Sequence, residues 1–263
     1  MAEQRYAHVR ALDRGLRLLV ALNEAGRSDP AALARIAEID RTTAYRLLET
    51  LEGLGYVSRS QSDGKYVLLP TVRNLSEGLT RSDKASRIVA EELFELLPHV
   101  LWPTDYATFE RGWMVIRETT HRFSPYSVHR AMVGRRRPLI ESALGRAMLA
   151  GAEPLHREEM LAIAQSARAT DLPEHRIKEA ISSLFEDYSR RGYAWAVDGA
   201  EQGISAIALP VKVSESVLGS VNLLFFTSAM AIETAAERFL PSLRTAVAVI
   251  SARLQKQTDS EGL

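Results

Sequence analysis

No cysteine occurs in these 263 residues, which removes disulfides, thiolate metal sites and thiol nucleophiles and is most natural in a reducing compartment such as the cytoplasm. Charge of one sign is missing too. Lys and Arg number 33 against 33 Asp and Glu, so the chain is no polybasic nucleic-acid binder, and any contact with DNA has to come from a local patch. No apolar stretch nears the ~18 residues that span a bilayer. The start Met1-Ala2-Glu3-Gln4-Arg5 is polar, so a soluble, unexported protein with no membrane partner is expected. Neither a P-loop nor a Gly-x-Gly-x-x-Gly run is found, and Gly203-Ile204-Ser205-Ala206-Ile207 lacks the second glycine of a nucleophile elbow. His121 and His129 are too far apart for a single-turn helical metal pair. Catalytic residues, cofactor and metal are therefore not expected, and an enzyme is not expected either. What is present is 46% hydrophobic residues, enough for one large core or for a small and a medium one.

Periodicity favours two domains. Leu12, Leu16, Leu18, Leu19 and Leu22 predict a first amphipathic helix ending near Gly26. Asp29-Pro30 starts a second, short helix with a capping carboxylate and a proline in the first turn. Arg41-Thr42-Thr43 opens a third, whose stripe Ala44, Leu47, Leu48, Leu51 and Leu54 faces inward until Gly55 stops it. Asp63-Gly64 between Tyr56-Val57-Ser58-Arg59 and Lys65-Tyr66-Val67-Leu68 predicts a hairpin. Three short helices and a hairpin make a winged helix-turn-helix over residues 6–70. Residues 71–98 are expected to form two helices, with Val72, Leu75 and Leu79 in one and Ile88, Val89, Leu93, Leu96 and Leu97 in the other, linking the domains and offering a surface for dimerisation. Residues 99–257 change to an α+β pattern, with strands expected near 105–109, 113–119, 126–133, 193–197, 204–211 and 217–226. Helices are expected near 141–151, 154–167, 174–191 and 230–256, the last kinked or restarted at Pro241.

The run from Arg41 to Leu51, followed by Gly55-Tyr56-Val57 and Asp63-Gly64-Lys65-Tyr66, resembles the DNA-binding signature of the IclR family. The resemblance continues through Gly134, Pro138-Leu139, Gly145-Arg146-Ala147, Arg191-Gly192-Tyr193, Ile207 to Val211 and Leu218-Gly219-Ser220-Val221, leaving out only the termini. It implies a GAF-like effector-binding second domain. Leu101 to Asp105, Arg117 to Ser124 and His129 to Arg136 are similar to regulators of 3-hydroxyphenylpropionate catabolism. That resemblance implies control of an aromatic-acid pathway, often by activation and then with RNA polymerase as a partner. Glu38 departs from the family, which usually has glycine in the turn between the two DNA-binding helices.

On the third helix Arg41, Thr42, Thr43, Tyr45, Arg46 and Glu49 are left facing outward, and the first five are expected to meet double-stranded operator DNA. The Arg46 fork suits guanine O6 and N7, while Arg59 and Lys65 flank the wing and suit phosphate or the minor groove. The run Arg135-Arg136-Arg137 is expected in a solvated loop or a subunit contact rather than on DNA. Resemblance directs the effector to Ala143, Leu144, Gly145, Ser205, Ala206 and Asn222, and the physical reading agrees: amides at a helix start bind carboxylates, and a polar group within an apolar strand orients a ligand. Arg117, Tyr126, His129 and Arg130 are the further candidates for an aromatic carboxylate with a ring hydroxyl, with Met132 or Leu223 lining its slot. A strand has two faces, and the pattern alone does not say which is the pocket. The expected assembly is a homodimer or tetramer, because one winged helix contributes little interface and operators are usually read as paired half-sites. An enzymatic or nucleotide-sensing domain carrying a winged helix is the alternative, and a protein-binding winged helix a further one.

Overall fold

A computed structural model describes residues 9–76, 82–170 and 172–261, and the chain divides into two compact units, Met1–Thr80 and Arg81–Leu263. In the first unit α1 (Arg10–Ala25), α2 (Pro30–Ile36) and α3 (Arg41–Gly53) precede β1 (Val57–Arg59) and β2 (Tyr66–Leu68). Asp29 caps α2 through the Ala31 and Ala32 amides, and Asp40 caps α3 through Thr43 N–H at 2.8 Å. Their leucines explain the packing. Leu18, Leu22, Leu33, Leu48, Val57 and Tyr66 are buried together, while Leu12, Leu16 and Val20 are exposed on the other side of α1. The expected single stripe on the first helix is thus two faces, one buried and one open. β1 and β2 pair antiparallel, and Ser28 bridges to Tyr66, tying the hairpin to the start of α2.

A 3-10 helix, Pro70–Ser76, follows in place of the first expected α-helix, and Leu79 lies outside the described residues. The second expected helix is α4 (Ser82–Val100), whose Val89, Leu93, Leu96 and Val100 are buried in the core of the second unit. The rest of that unit is β3 (Thr104–Glu110), β4 (Trp113–Thr119), β5 (Arg136–Pro138), α5 (Ala143–Gly151), α6 (Pro154–Ser166), α7 (Glu174–Arg191), β6 (Ala194–Val197), β7 (Ile204–Val213), β8 (Ser216–Phe226) and α8 (Ile232–Glu261). The α+β two-domain expectation holds. Pro241 neither ends nor restarts the last helix.

The six strands run in the order β5-β4-β3-β8-β7-β6, each pair antiparallel. Helices cover both faces, so β7 and β8 are apolar on both sides. Alternation sorts their residues: Ile207, Leu209, Val221 and Leu223 pack toward α4 and α8, while Ala206, Ala208 and Leu224 face α5. Small residues on that second face let α5 come close. Gly151 shows how close, since an added Cβ would stand 2.5 Å from Pro210 Cβ on β7.

The strand expected at 126–133 is absent. Instead residues 120–134 form a loop in which Ser124 Oγ accepts from Tyr126 N–H, Ser127 Oγ accepts from His129 N–H, and Ser124 Oγ also lies 2.7 Å from Leu101 O. Serine side chains here satisfy backbone groups that a ladder would otherwise claim. The short strand comes later, at Arg136–Pro138.

Candidate functional site

Two surfaces hold the expected site residues, one in each unit. On α3 the Asp40 cap fixes the first turn, leaving Arg41, Thr42 and Arg46 exposed and Thr43 and Tyr45 half-buried. The Arg41 guanidinium lies 5.8 Å from the centroid of the Tyr45 ring, a cation–π approach at the start of the helix. Arg59 and Lys65 are exposed on the hairpin. Asp63 at the hairpin turn accepts from Arg27 at 3.0 Å and from Lys65 N–H at 3.2 Å, and Arg27 also donates to Ser60 Oγ at 2.8 Å. The Arg27 bond holds the Asp63 carboxyl down to about 2. The wing is thereby tied to the end of α1, and its outward cations are presented on a braced turn. Glu38, between α2 and α3, has φ 54°, the left-handed conformation in which glycine is least strained.

In the second unit a cleft opens on the α5 side of the sheet. One part is lined by Ser142, Ala143, Leu144, Ala206, Asn222, Leu224, Arg137 and Glu201. Ser142 caps α5 by accepting from Gly145 N–H at 3.1 Å, which leaves the amides of Ala143 and Leu144 at the open end of the helix. Asn222 is buried, and its Oδ1 accepts from Asp105 N–H across the β3–β8 pair at 2.9 Å, so it is both a cleft residue and a strand clamp.

The adjoining part shares Arg137, Glu201, Ile204 and Leu224 with the first and adds Trp102, His121, Tyr126, His129 and Phe226. Its wall is aromatic. Trp102 packs on Tyr126 at 4.7 Å between centroids and edge-on to Phe226 at 5.6 Å. Its polar groups form a chain: His121 Nδ1 meets Ser127 Oγ at 2.5 Å, and His129 Nε2 meets Glu201 Oε1 at 2.7 Å. Arg137 Nη2 reaches Glu201 Oε2 at 3.6 Å. Behind them His121 Nε2 and Asp105 Oδ2 are buried, lack a hydrogen-bond partner and stand 3.6 Å apart, while Thr119 Oγ1 donates to Asp105 Oδ1 at 2.6 Å. Among the described residues no group of three His, Asp or Glu is placed to hold a metal ion.

The cleft brings together Ala143, Leu144, Ala206, Asn222, Tyr126 and His129 of the expected residues. Four others lie elsewhere. Gly145 is behind the cleft against Leu139, and Ser205 points through the sheet to Thr227 Oγ1 at 2.9 Å. Arg117, on β4, is held by Thr108 and Glu110 of the neighbouring β3, and Arg130 is exposed and does not line the cleft. Of the residues proposed for the slot, Met132 is core beneath α5, and Leu223 faces the opposite side, leaving Leu224 in its place. Arg137, Glu201, Trp102, Leu224 and Phe226 are cleft residues that sequence reasoning missed, and Arg137 is the instructive one. The basic run around it falls partly on the short edge strand β5, where alternation leaves Arg136 exposed and turns Arg137 inward.

A family model of the IclR helix-turn-helix domain matches residues 11–61, and one of the bacterial transcriptional regulator IclR C-terminal domain matches residues 116–252. The chain is 25% identical to the HTH-type transcriptional regulator KdgR of Escherichia coli K12, over 90% of this chain and 89% of that one. It is 26% identical to the DNA-binding transcriptional repressor YiaJ of the same organism, covering 80% and 75%. The fold is that of Thermotoga maritima IclR, with a TM-score of 0.67 at 18% identity over 94% of this chain and all of that one. It is likewise that of an IclR homolog from Microbacterium hydrocarbonoxydans complexed with 4-hydroxybenzoate, with a TM-score of 0.64 at 23% identity over 94% and 99%. The relatives are transcription regulators and not enzymes, and the two models fall one in each unit of the fold. The chain belongs to the IclR family of DNA-binding transcription regulators with an effector-binding domain.

Proposed function

We propose that this regulator acts in the cytoplasm as a homodimer or tetramer and answers to an aromatic carboxylate, controlling an aromatic catabolic pathway of the 3-hydroxyphenylpropionate kind. The observation that carries the effector class is the cleft: an aromatic wall of Trp102, Tyr126 and Phe226 lies beside the cation Arg137, next to the open amides of Ala143 and Leu144. A flat ring fills the first, and a carboxylate suits the second. That a protein of the same fold is seen with 4-hydroxybenzoate supports the same chemistry. Arg41, Thr42, Thr43, Tyr45 and Arg46 read the operator and Arg59 and Lys65 hold its backbone. In an activating regulator RNA polymerase is the further partner. Such a ligand regulates only if it favours one arrangement of the regulator over another, and the coupling is then reciprocal. Calorimetric titration of phenolic acids, with and without operator DNA, tests this. The expected result is binding below about millimolar, with an effector affinity that changes when operator is present and an operator affinity that changes by the same factor when effector is present. Absence of binding, or equal affinities with and without operator, refutes it.

A further inference from the structure

The Arg137–Glu201–His129 group is more than a wall of the cleft. Arg137 comes from the edge strand β5, Glu201 from the loop between β6 and β7, and His129 from the loop after β4, so one carboxylate fastens three segments. The Arg137 side chain is 14% exposed, and a guanidinium so withdrawn from water needs an anion. Glu201 serves it unevenly. Its Oε1 is committed to His129 at 2.7 Å, and its Oε2 meets Arg137 through a contact of 3.6 Å, well short of the paired, parallel bonds a guanidinium fork makes with a free carboxylate.

The loop carrying Glu201 is closed on itself, since Asp198 Oδ1 accepts from Gly203 N–H at 2.7 Å, and it is anchored where Gly199 packs on Glu141 O and Thr227 N–H donates to Gly203 O. The Glu201 side chain is 36% exposed, so a change of its rotamer alone takes the carboxylate off Arg137 and leaves the loop in place.

Resting on the aromatic-carboxylate reading and going beyond it, we propose that Glu201 is a built-in competitor for the effector: its carboxylate holds the place on Arg137 that the effector's carboxylate takes, so binding of the effector and release of the Glu201 carboxylate are one event. With its carboxylate on Arg137, an aryl acid lays its ring along Trp102, Leu224 and Phe226, which line the same cleft. The exchange swaps one anion for another at a largely buried cation, and the displaced Glu201 carboxylate is taken up by solvent. The ligand class is a monocarboxylate with a ring, and the neutral amide of the same acid is excluded because it cannot replace an anion.

The test is calorimetry with 3-(3-hydroxyphenyl)propionate, 4-hydroxybenzoate and the amide of each, on the full chain as wild type, Arg137→Met and Glu201→Gln, with circular dichroism to confirm folding. Expected are acid binding at least tenfold weaker in Arg137→Met and roughly five- to tenfold tighter in Glu201→Gln, where the competitor is gone, with neither variant changing the amides. Wild-type affinity in Arg137→Met, or unchanged or weaker binding in Glu201→Gln, overturns the exchange while leaving the aromatic-effector reading in place. If no acid binds wild type or Glu201→Gln, the reading falls and the exchange falls with it.

Discussion

Single residues in the winged helix carry strains and bonds that can be measured. Glu38 holds φ 54° in the turn before the recognition helix, where a side chain costs more than glycine does. Part of that gain is offset by the greater freedom glycine has in the unfolded chain, so Glu38→Gly is expected to stabilise the protein by about 0.5–1 kcal/mol. Urea unfolding with an unchanged slope checks it, and a loss of stability would mean the turn depends on the side chain. Asp63 offers a second test. Its carboxyl is lowered from an ordinary 3.8 to about 2, first by the hydrogen bond from Arg27. A depressed carboxyl contributes its stability above the unfolded value and loses it as pH falls through the folded one, so this contribution is present above about pH 4 and lost toward pH 2. Arg27→Ala is expected to move the Asp63 titration, followed by carboxyl NMR shifts, back up toward 3.8. No movement would show that the bond is not made in solution. That Glu38 sits in the turn was legible from the spacing of the helices around it. Arg27 as the partner of Asp63 was not, because 36 residues separate them and an exposed charge gives no periodic signal.

Among the elements, legibility followed local patterning. Helices α1 to α3 and the hairpin announce themselves through caps, leucine spacing and Asp63-Gly64, because these signals lie within one element. The edge strand β5 did not, since three residues are too few for alternation to show and Arg135-Arg136-Arg137 resembles a solvated run. The loop before it was taken for a strand because Tyr126, Val128 and Val133 carry strand propensity, which serine-to-backbone bonds overrode. On β8 the alternation was visible, but its phase relative to the two layers of helices was not, and so Leu223 stood where Leu224 belongs. Helix α3 and the wing, proposed to contact the operator, are expected to make separable contributions to DNA binding. Arg46 is exposed and its loss leaves the buried Ala44 and Leu48 untouched, so Arg46→Ala is expected to cost about 1–3 kcal/mol of operator affinity and to relax discrimination between sequences. Lys65→Ala is expected to weaken all sequences alike and to reduce the salt slope by about 1. Gel-shift titrations at several salt concentrations separate the two, and an operator affinity unchanged in Arg46→Ala would remove α3 from the interface.

At the scale of the whole molecule, the question is what surface joins two copies. The apolar stripe of α4 first considered for association is largely spent, with Val89, Leu93 and Leu96 buried in the core of the second unit. A different stripe is open. Val9, Leu12, Leu16 and Val20 recur at three- and four-residue steps on α1 and are 67%, 62%, 52% and 57% exposed, a run that solvent disfavours. If a second copy of α1 covers this stripe, two-fold symmetry requires that it do so with an identical one, and two winged helices are then joined. Leu16→Glu combined with Val20→Glu places like charges at the centre of that contact without touching Leu18 or Leu22 in the core. The expected outcome in light scattering is a loss of association between winged helices, with operator affinity reduced at least a hundredfold as paired half-sites become single ones. Effector binding, which uses residues of the second unit, is expected to stay at its wild-type value. An unchanged operator affinity in the double variant would show that the stripe is not the joint, and that association runs through the second unit instead.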